Sequence, residues 1–271
     1  MKNIPILDKI PELDVAIEAV HEAGKSILEI YKQSYETFTK SDDSPITEAD
    51  LKSNEIIKAV LSKTGYKILS EEDKDDSKRL LEEIIWIVDP LDGTSDFIDK
   101  TGEFTVMIAL IKNKKPIIGV IGWPTEKTIF AAQKGSGAFR YSEGKWSKIE
   151  VAKTSELSKC KVVGSRHHLS EKEKNFIKKL GIKHFTSVGS SLKVGKISSG
   201  EAEAYITTTN KMKEWDSAAS YCLIFEAGGK MTDMFGNDIT YNNKTVNHQN
   251  GILVTNGLIH DKIIEEFKKL N

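Results

Sequence analysis

The chain has 271 residues, 39% of them hydrophobic and 29% charged, a balance that reads as a soluble globular protein with a sizeable core. Its formal net charge is −1, so no global basic field points to a nucleic acid polymer. Two cysteines, Cys160 and Cys222, make neither a disulfide framework nor a metal-ligand spacing, which fits a cytoplasmic setting. The leading stretch MKNIPILDKIPELD carries Asp8 and Glu12 where a signal peptide needs unbroken apolar residues. No run approaches the ~18 apolar residues of a membrane span.

In chain order, Leu13, Ile17, Val20, Ile27 and Tyr31 recur at helical spacing and predict a helix over 12–34. The polar stretch TKSDDSPITEAD, 39–50, reads as an exposed loop. A second helix starts at Thr47, shows Leu51, Ile57, Val60 and Leu61 on its apolar face, and ends at Gly65. Short strands follow at 66–69 and 84–89, then a strand pair at 104–111 and 116–123 around the KNKK turn, then TIFAAQ and KIEVA. Beyond residues 150–160 the pattern alternates. KVVGSRHH gives a strand and loop, SEKEKNFIKKLG and SSLKVGKISSG give helices, and EAYIT a strand. Residues 215–227 form a helix closed by Gly228-Gly229, and GILVTN is a strand before a final helix. The expected architecture is α+β joined to α/β, with subdomains at 1–152 and 153–271 packed as one body.

Within this frame, carboxylates stand beside apolar segments at Asp50, Glu71-Glu72, Asp89 with Asp92, and Asp216. The stretch WIVDPLDGTSDFI (86–98) is the sharpest case, because a buried run delivers two aspartates three positions apart. Buried carboxylates cost several kcal/mol unless paired or bound to a cation. Hard oxygen ligands of this kind suit Mg²⁺, and Gly93-Thr94-Ser95 offers backbone N–H groups at a helix start as a phosphate cradle. Taken singly, each carboxylate also has an ordinary reading. Asp50 completes a capping box with Thr47, Glu71-Glu72 belongs to a solvated acidic run, Asp89 and Asp92 make Asx turns, and Asp216 opens a helix. An Asp-x-Asp phosphatase with a nucleophilic aspartate does not fit, since the spacing is Asp89-Pro-Leu-Asp92.

SEED (70–73), DPLDGTSDFI (89–98) and EWDSAA (214–219) together resemble the signatures of the inositol monophosphatase superfamily of Mg²⁺-dependent, Li⁺-sensitive phosphatases. GEFTVMIALI (102–111), SRHH (165–168) and GSSLK (189–193) resemble its bacterial 3′(2′),5′-bisphosphate nucleotidases. The resemblance implies a layered αβαβα sandwich and two or three Mg²⁺ ions. Glu71, Asp89 and the Leu91 carbonyl would hold the first ion. Asp89, Asp92 and Asp216 would hold the second, and a third would touch Glu71 mostly through water. It further implies that Asp50 and Thr94 activate water, that the amides of Gly93, Thr94 and Ser95 bind phosphate, that His168 and Ser191 meet the nucleotide, and that Lys193 meets its non-scissile phosphate. One departure stands out. Two positions after Tyr205, where such nucleotidases commonly carry arginine, this chain has Thr207. The expected substrate is a small phosphate ester, adenosine 3′,5′-bisphosphate, with inositol monophosphatase or fructose-1,6-bisphosphatase activity on the same metal centre as the alternative. The expected assembly is a monomer or homodimer with no nucleic acid or membrane partner.

Overall fold

The computed structural model describes residues 3–40 and 44–270. Helix α1 (Pro11–Tyr31) starts with Pro11, whose missing N–H costs nothing in a first turn. The hairpin β1 (Thr37–Thr39) and β2 (Pro45–Thr47) pairs antiparallel, with Thr37 opposite Thr47. The loop expected over 39–50 is therefore partly strand, and its residues 41–43 lie outside the described residues. Helix α2 (Glu48–Leu61) is closed by a 3₁₀ turn and by Gly65 at φ 74°, a left-handed position natural to glycine.

Next in the chain come β3 (Lys67–Ser70), β4 (Ile84–Asp92), the short α3 (Thr94–Ile98), β5 (Thr105–Lys112), β6 (Lys115–Trp123), β7 (Thr128–Gln133), β8 (Gly137–Ser142) and β9 (Lys145–Ile149). These seven strands form one sheet in sequence order. All its neighbours are antiparallel except β3 and β4, which run parallel. The remaining elements are β10 (Lys161–Ser165), α4 (Glu171–Lys179), β11 (His184–Val188), α5 (Leu192–Ser198), β12 (Ala204–Thr207), α6 (Ala218–Glu226), β13 (Lys230–Thr232), β14 (Ile252–Thr255) and α7 (His260–Lys268). Their strands make a five-stranded sheet in the order β11-β10-β12-β14-β13.

Period-2 alternation explains the layering. In β5, Val106, Ile108 and Leu110 pack with Leu13, Val20 and Ile27 of α1 and with Ile57 and Leu61 of α2. The intervening Met107, Ala109 and Ile111 face the opposite core, shared with Leu192 and Ile197 of α5, Cys222 and Leu223 of α6, and Tyr205 of β12. In β12 the neighbours Ala204 and Ile206 turn to a third core with Phe176 of α4 and Ile263 and Phe267 of α7. Three cores thus join five layers, the middle one filling both sides of the third: α1 and α2, the large sheet, α5 and α6, the small sheet, then α4 and α7. This is the expected αβαβα sandwich.

Close approach fixes the central layers. A Cβ on Gly119 of β6 would lie 2.3 Å from the Ala219 carbonyl oxygen of α6, so only glycine fits under that helix. Several expectations change in detail. Leu51 is 43% exposed, because the buried face of α2 runs through Asp50, Asn54, Ile57 and Leu61. The expected helix at 215–227 begins at Ala218. Strands β8, β11 and β13 were not anticipated.

Candidate active site

Strands β3 and β4 run parallel, so their carboxylate-bearing ends lie on one rim of the sheet. Glu71 follows β3, and its amide donates to the Val88 carbonyl at 3.2 Å. Asp89 continues the face of Ile85 and Ile87 and is 1% exposed. Asp216 arrives from the other sheet, on the segment between β12 and α6, where its Oδ2 accepts the Lys213 amide at 2.7 Å. Glu71, Asp89 and Asp216 each offer a carboxylate oxygen, and these atoms lie within 4.8 Å of one another. Burial pushes the Asp89 carboxyl well above the ordinary carboxylate range, and the charges of Glu71, Asp92 and Asp216 push it further. Asp216 is raised by burial and by Glu71. Three converging carboxylates resist ionising together, and a divalent cation with a preference for oxygen ligands relieves that conflict. The donor set fits magnesium.

A register shift separates Asp89 from Asp92 opposite β5, and Asp92 is not one of the three converging oxygens. Its Oδ2 accepts the Ser191 amide and, at 3.2 Å, the Thr105 hydroxyl. Burial raises Asp92, while the nearby charge of Lys193 works against that rise. Lys40, beyond β1, closes the other side: its Nζ lies 2.9 Å from Glu71 and 2.7 Å from Glu72. Burial raises Glu72 to about 7, against the pull of Lys40. Glu71 and Glu72 share Lys40, and only Glu71 also belongs to the trio.

Asp50 makes two sets of hydrogen bonds, one from each oxygen. Its Oδ2 accepts the Thr47 amide at 2.7 Å and the Thr47 hydroxyl at 2.6 Å, the capping arrangement of α2. Its Oδ1 accepts the Thr94 hydroxyl at 2.9 Å. The Leu91 carbonyl stands 3.2 Å from the same hydroxyl. Asp50 is 1% exposed, and burial raises its pKa despite hydrogen bonds from Thr47 and Thr94. Gly93 sits at φ 90°, where an added Cβ would come within 3.1 Å of Ser190 Cβ and 3.3 Å of the Glu103 carbonyl. That tight left-handed turn starts α3, whose first N–H groups have no intrahelical acceptor.

An open cleft of about 280 Å³ connects these groups. Glu71, Asp92 and Asp216 line it together with Gly93, Thr94 and Ser95, and His168, Ser191 and Lys193 border it as well. The Ser191 hydroxyl is 2.7 Å from that of Thr105. Ser191 is the helix cap position of α5, with no capping bond from its side chain, while Ser190 takes a left-handed φ of 48°. The Lys193 ammonium is buried and donates to the carbonyls of Val188 at 3.4 Å and Ser190 at 2.5 Å. Burial lowers its pKa against the nearby acids. Burial also lowers His168, and the neighbouring His167 and Lys211 add to that effect. Asp89 and the Leu91 backbone lie beneath the cleft, where the Leu91 amide donates to Asp89 Oδ1 at 3.1 Å.

Sequence reasoning missed three groups here. Lys40 gave no signal, since its partners follow β3, 31 and 32 residues further on. Glu103 Oε2 accepts both the Gly189 amide at 2.7 Å and Arg166 at 2.6 Å, which joins the SRHH segment to the GSSLK segment. Glu173, 2% exposed, accepts the Ser170 amide at 2.8 Å and the Thr208 amide at 2.6 Å. The motif S-x-x-E at Ser170 was the available sign for Glu173, though it foretells only the helix cap.

A model of the inositol monophosphatase family matches residues 8–271. The 3′(2′),5′-bisphosphate nucleotidase CysQ of Escherichia coli (strain K12) is 34% identical over 234 residues, 84% of this chain and 93% of that protein. CysQ of Aggregatibacter actinomycetemcomitans is 32% identical over 246 residues, 89% of this chain and 91% of its own. The crystal structure of CysQ from Bacteroides thetaiotaomicron matches with a TM-score of 0.78 at 32% identity, covering 90% of this chain and 96% of that one. A Thermotoga maritima IMPase matches with a TM-score of 0.82 at 23% identity over 96% of this chain and 98% of its own, a likeness of fold. Among the described residues no helix is long and apolar enough to cross a membrane. With its layered fold, its acidic trio and these matches over most of its length, the chain belongs to the inositol monophosphatase family.

Proposed function

We propose that this family member is a Mg²⁺-dependent phosphomonoesterase that hydrolyses the 3′-phosphate of adenosine 3′,5′-bisphosphate to AMP and phosphate. The observation that carries the reading is the convergence of Glu71, Asp89 and Asp216 beside the Asp50–Thr94 hydrogen bond at one cleft. The similarity to CysQ nucleotidases supports the substrate class. Glu71, Asp89 and the Leu91 carbonyl would hold one ion. Asp89, Asp92 and Asp216 would hold a second, and a third would sit beside Glu71. Bound there, magnesium neutralises phosphoryl charge and acidifies water.

The chain's own groups do the rest. Thr94 gives its proton toward Asp50 Oδ1, which leaves its oxygen lone pairs free to receive the proton of the attacking water. Burial of Asp50 raises its basicity for that task. The amides of Gly93, Thr94 and Ser95 hold the phosphoryl oxygens in line with the water. A water held by Asp216 returns a proton to the departing ribose oxygen. His168 and Ser191 border the nucleoside.

Measuring kcat/KM side by side for adenosine 3′,5′-bisphosphate, inositol 1-phosphate and fructose 1,6-bisphosphate tests the reading. The bisphosphate nucleotide should give the highest value. A higher value for either alternative would replace the substrate while leaving the metal chemistry intact.

A further inference from the structure

The cleft holds two lysines and two histidines on its lining: Lys193, Lys211, His167 and His168. Three of the four are accounted for within the protein. Lys193 is buried, with its ammonium donated to two backbone carbonyls. His167 Nε2 lies 3.4 Å from the buried carboxylate of Asp96. His168 is held toward its neutral form by burial. Lys211 differs: it is exposed at the mouth, and among the described residues no hydrogen bond or ion pair engages its Nζ.

Its segment is also firmly built. After β12, the Thr208 amide and hydroxyl are tied to the buried Glu173 carboxylate at 2.6 and 3.4 Å. At the far end the Met212 carbonyl accepts the His248 amide at 2.8 Å, and the Lys213 amide caps Asp216. The Lys211 amide itself donates to Thr209 Oγ1 at 3.2 Å. A segment anchored at both ends carries Lys211 at an exposed position on the cleft lining. Thr207 offers no charge there: it is 4% exposed.

We infer that Lys211 is a specificity residue that receives a second, non-scissile phosphate of the substrate. The inference rests on the proposed nucleotide substrate and names the residue that distinguishes a bisphosphate from a monophosphate. A substrate whose scissile phosphate lies on the acidic floor presents its other phosphate outward, where Lys211 supplies an opposite charge. The product AMP keeps that outward phosphate, whereas inorganic phosphate does not.

The test compares Lys211→Ala and Lys211→Arg with the wild type on adenosine 3′,5′-bisphosphate and adenosine 3′-monophosphate. Loss of one charge-assisted contact should raise KM for the bisphosphate by about tenfold, with kcat nearly unchanged. KM for the monophosphate should stay put, and Lys211→Arg should restore the wild-type value. Inhibition by AMP should weaken by the same factor, while inhibition by inorganic phosphate should not. Added salt should narrow the difference, since an exposed ion pair is screened. Equal changes on both substrates, or an unchanged KM where the wild type still prefers the bisphosphate nucleotide, would overturn the role of Lys211 alone. Wild-type preference for inositol 1-phosphate would overturn this role and the proposed substrate together.

Discussion

Replacing Asp89 by asparagine separates charge from shape. Asparagine keeps an Oδ1 acceptor for the Leu91 amide, which Asp89 now binds at 3.1 Å. It removes one negative charge from a trio whose oxygens lie within 4.8 Å. At an effective dielectric of ~20, one pair of charges at that distance repels by about 3 kcal/mol. The metal-free protein escapes part of that cost by retaining a proton, as the raised Asp89 and Asp216 carboxyls indicate. The net gain from the substitution should therefore be smaller, about 1–2 kcal/mol. For a chain of this size that is roughly 2–8 °C in Tm. Thermal unfolding in EDTA at pH 8, followed by a Mg²⁺ titration, reads both halves of the argument. The variant should melt higher than the wild type without metal. It should gain far less from added Mg²⁺, because ligand binding to the native state is what raises Tm. Turnover should be lost. A variant that melts lower in EDTA, or gains as much from Mg²⁺ as the wild type, would show that Asp89 is held by structure and not by a cation.

Thr94→Ala and Asp50→Asn should each lower kcat by about 10²–10⁴-fold with little change in KM, and the double variant should lose no more than the worse single one. Only Asp50→Asn should also lower Tm in parallel melts, since it alone weakens the cap of α2. Gly119→Ala should destabilise by about 1–3 kcal/mol, measured by urea unfolding, because its Cβ meets the Ala219 carbonyl at 2.3 Å. His260 is fully buried between the Thr232 and Thr255 hydroxyls, and burial lowers its pKa to about 4 from 6.5; His248 shifts alike. With folded pKa values below unfolded ones, both histidines support the fold above pH 6.5, and that support is lost as pH falls toward 4. His260→Gln should flatten this acid-side slope in unfolding free energy, and an unaltered slope would assign it to other groups.

Chemistry that is compact in sequence was the most legible. DPLDGT carries a strand end, two carboxylates and a left-handed glycine within six residues, and the structure sets all of them at one rim. The cores of β4 to β6 were readable because both faces of these strands are buried and their apolar runs are nearly continuous. Strand β11 was not, because His184–Val188 is an edge strand with four exposed residues and no alternation. Leu51 misled because an apolar residue one step off the buried stripe of α2 counts the same in a short window. Asp50 shows a different limit. A carboxylate has two oxygens, and here one accepts the helix-cap bonds from Thr47 while the other accepts the Thr94 hydroxyl, so the cap leaves the proposed catalytic role open. The pairing of Lys40 and the open charge of Lys211 were invisible for a simpler reason: neither leaves any mark on neighbouring letters.

The acidic trio draws two members from the rim of the seven-stranded sheet and the third from a segment that leaves the five-stranded one. No ligand set exists, therefore, until the second sheet has docked and α6 has settled beneath Gly119. A cation that needs all three carboxylates would therefore require both sheets to be docked. A cation held there would join the two sheets across the seam, and the grip on metal would become a gauge of whether they are correctly seated. Damage far from the cleft, anywhere along that seam, would be felt first as a weakened hold on the ion.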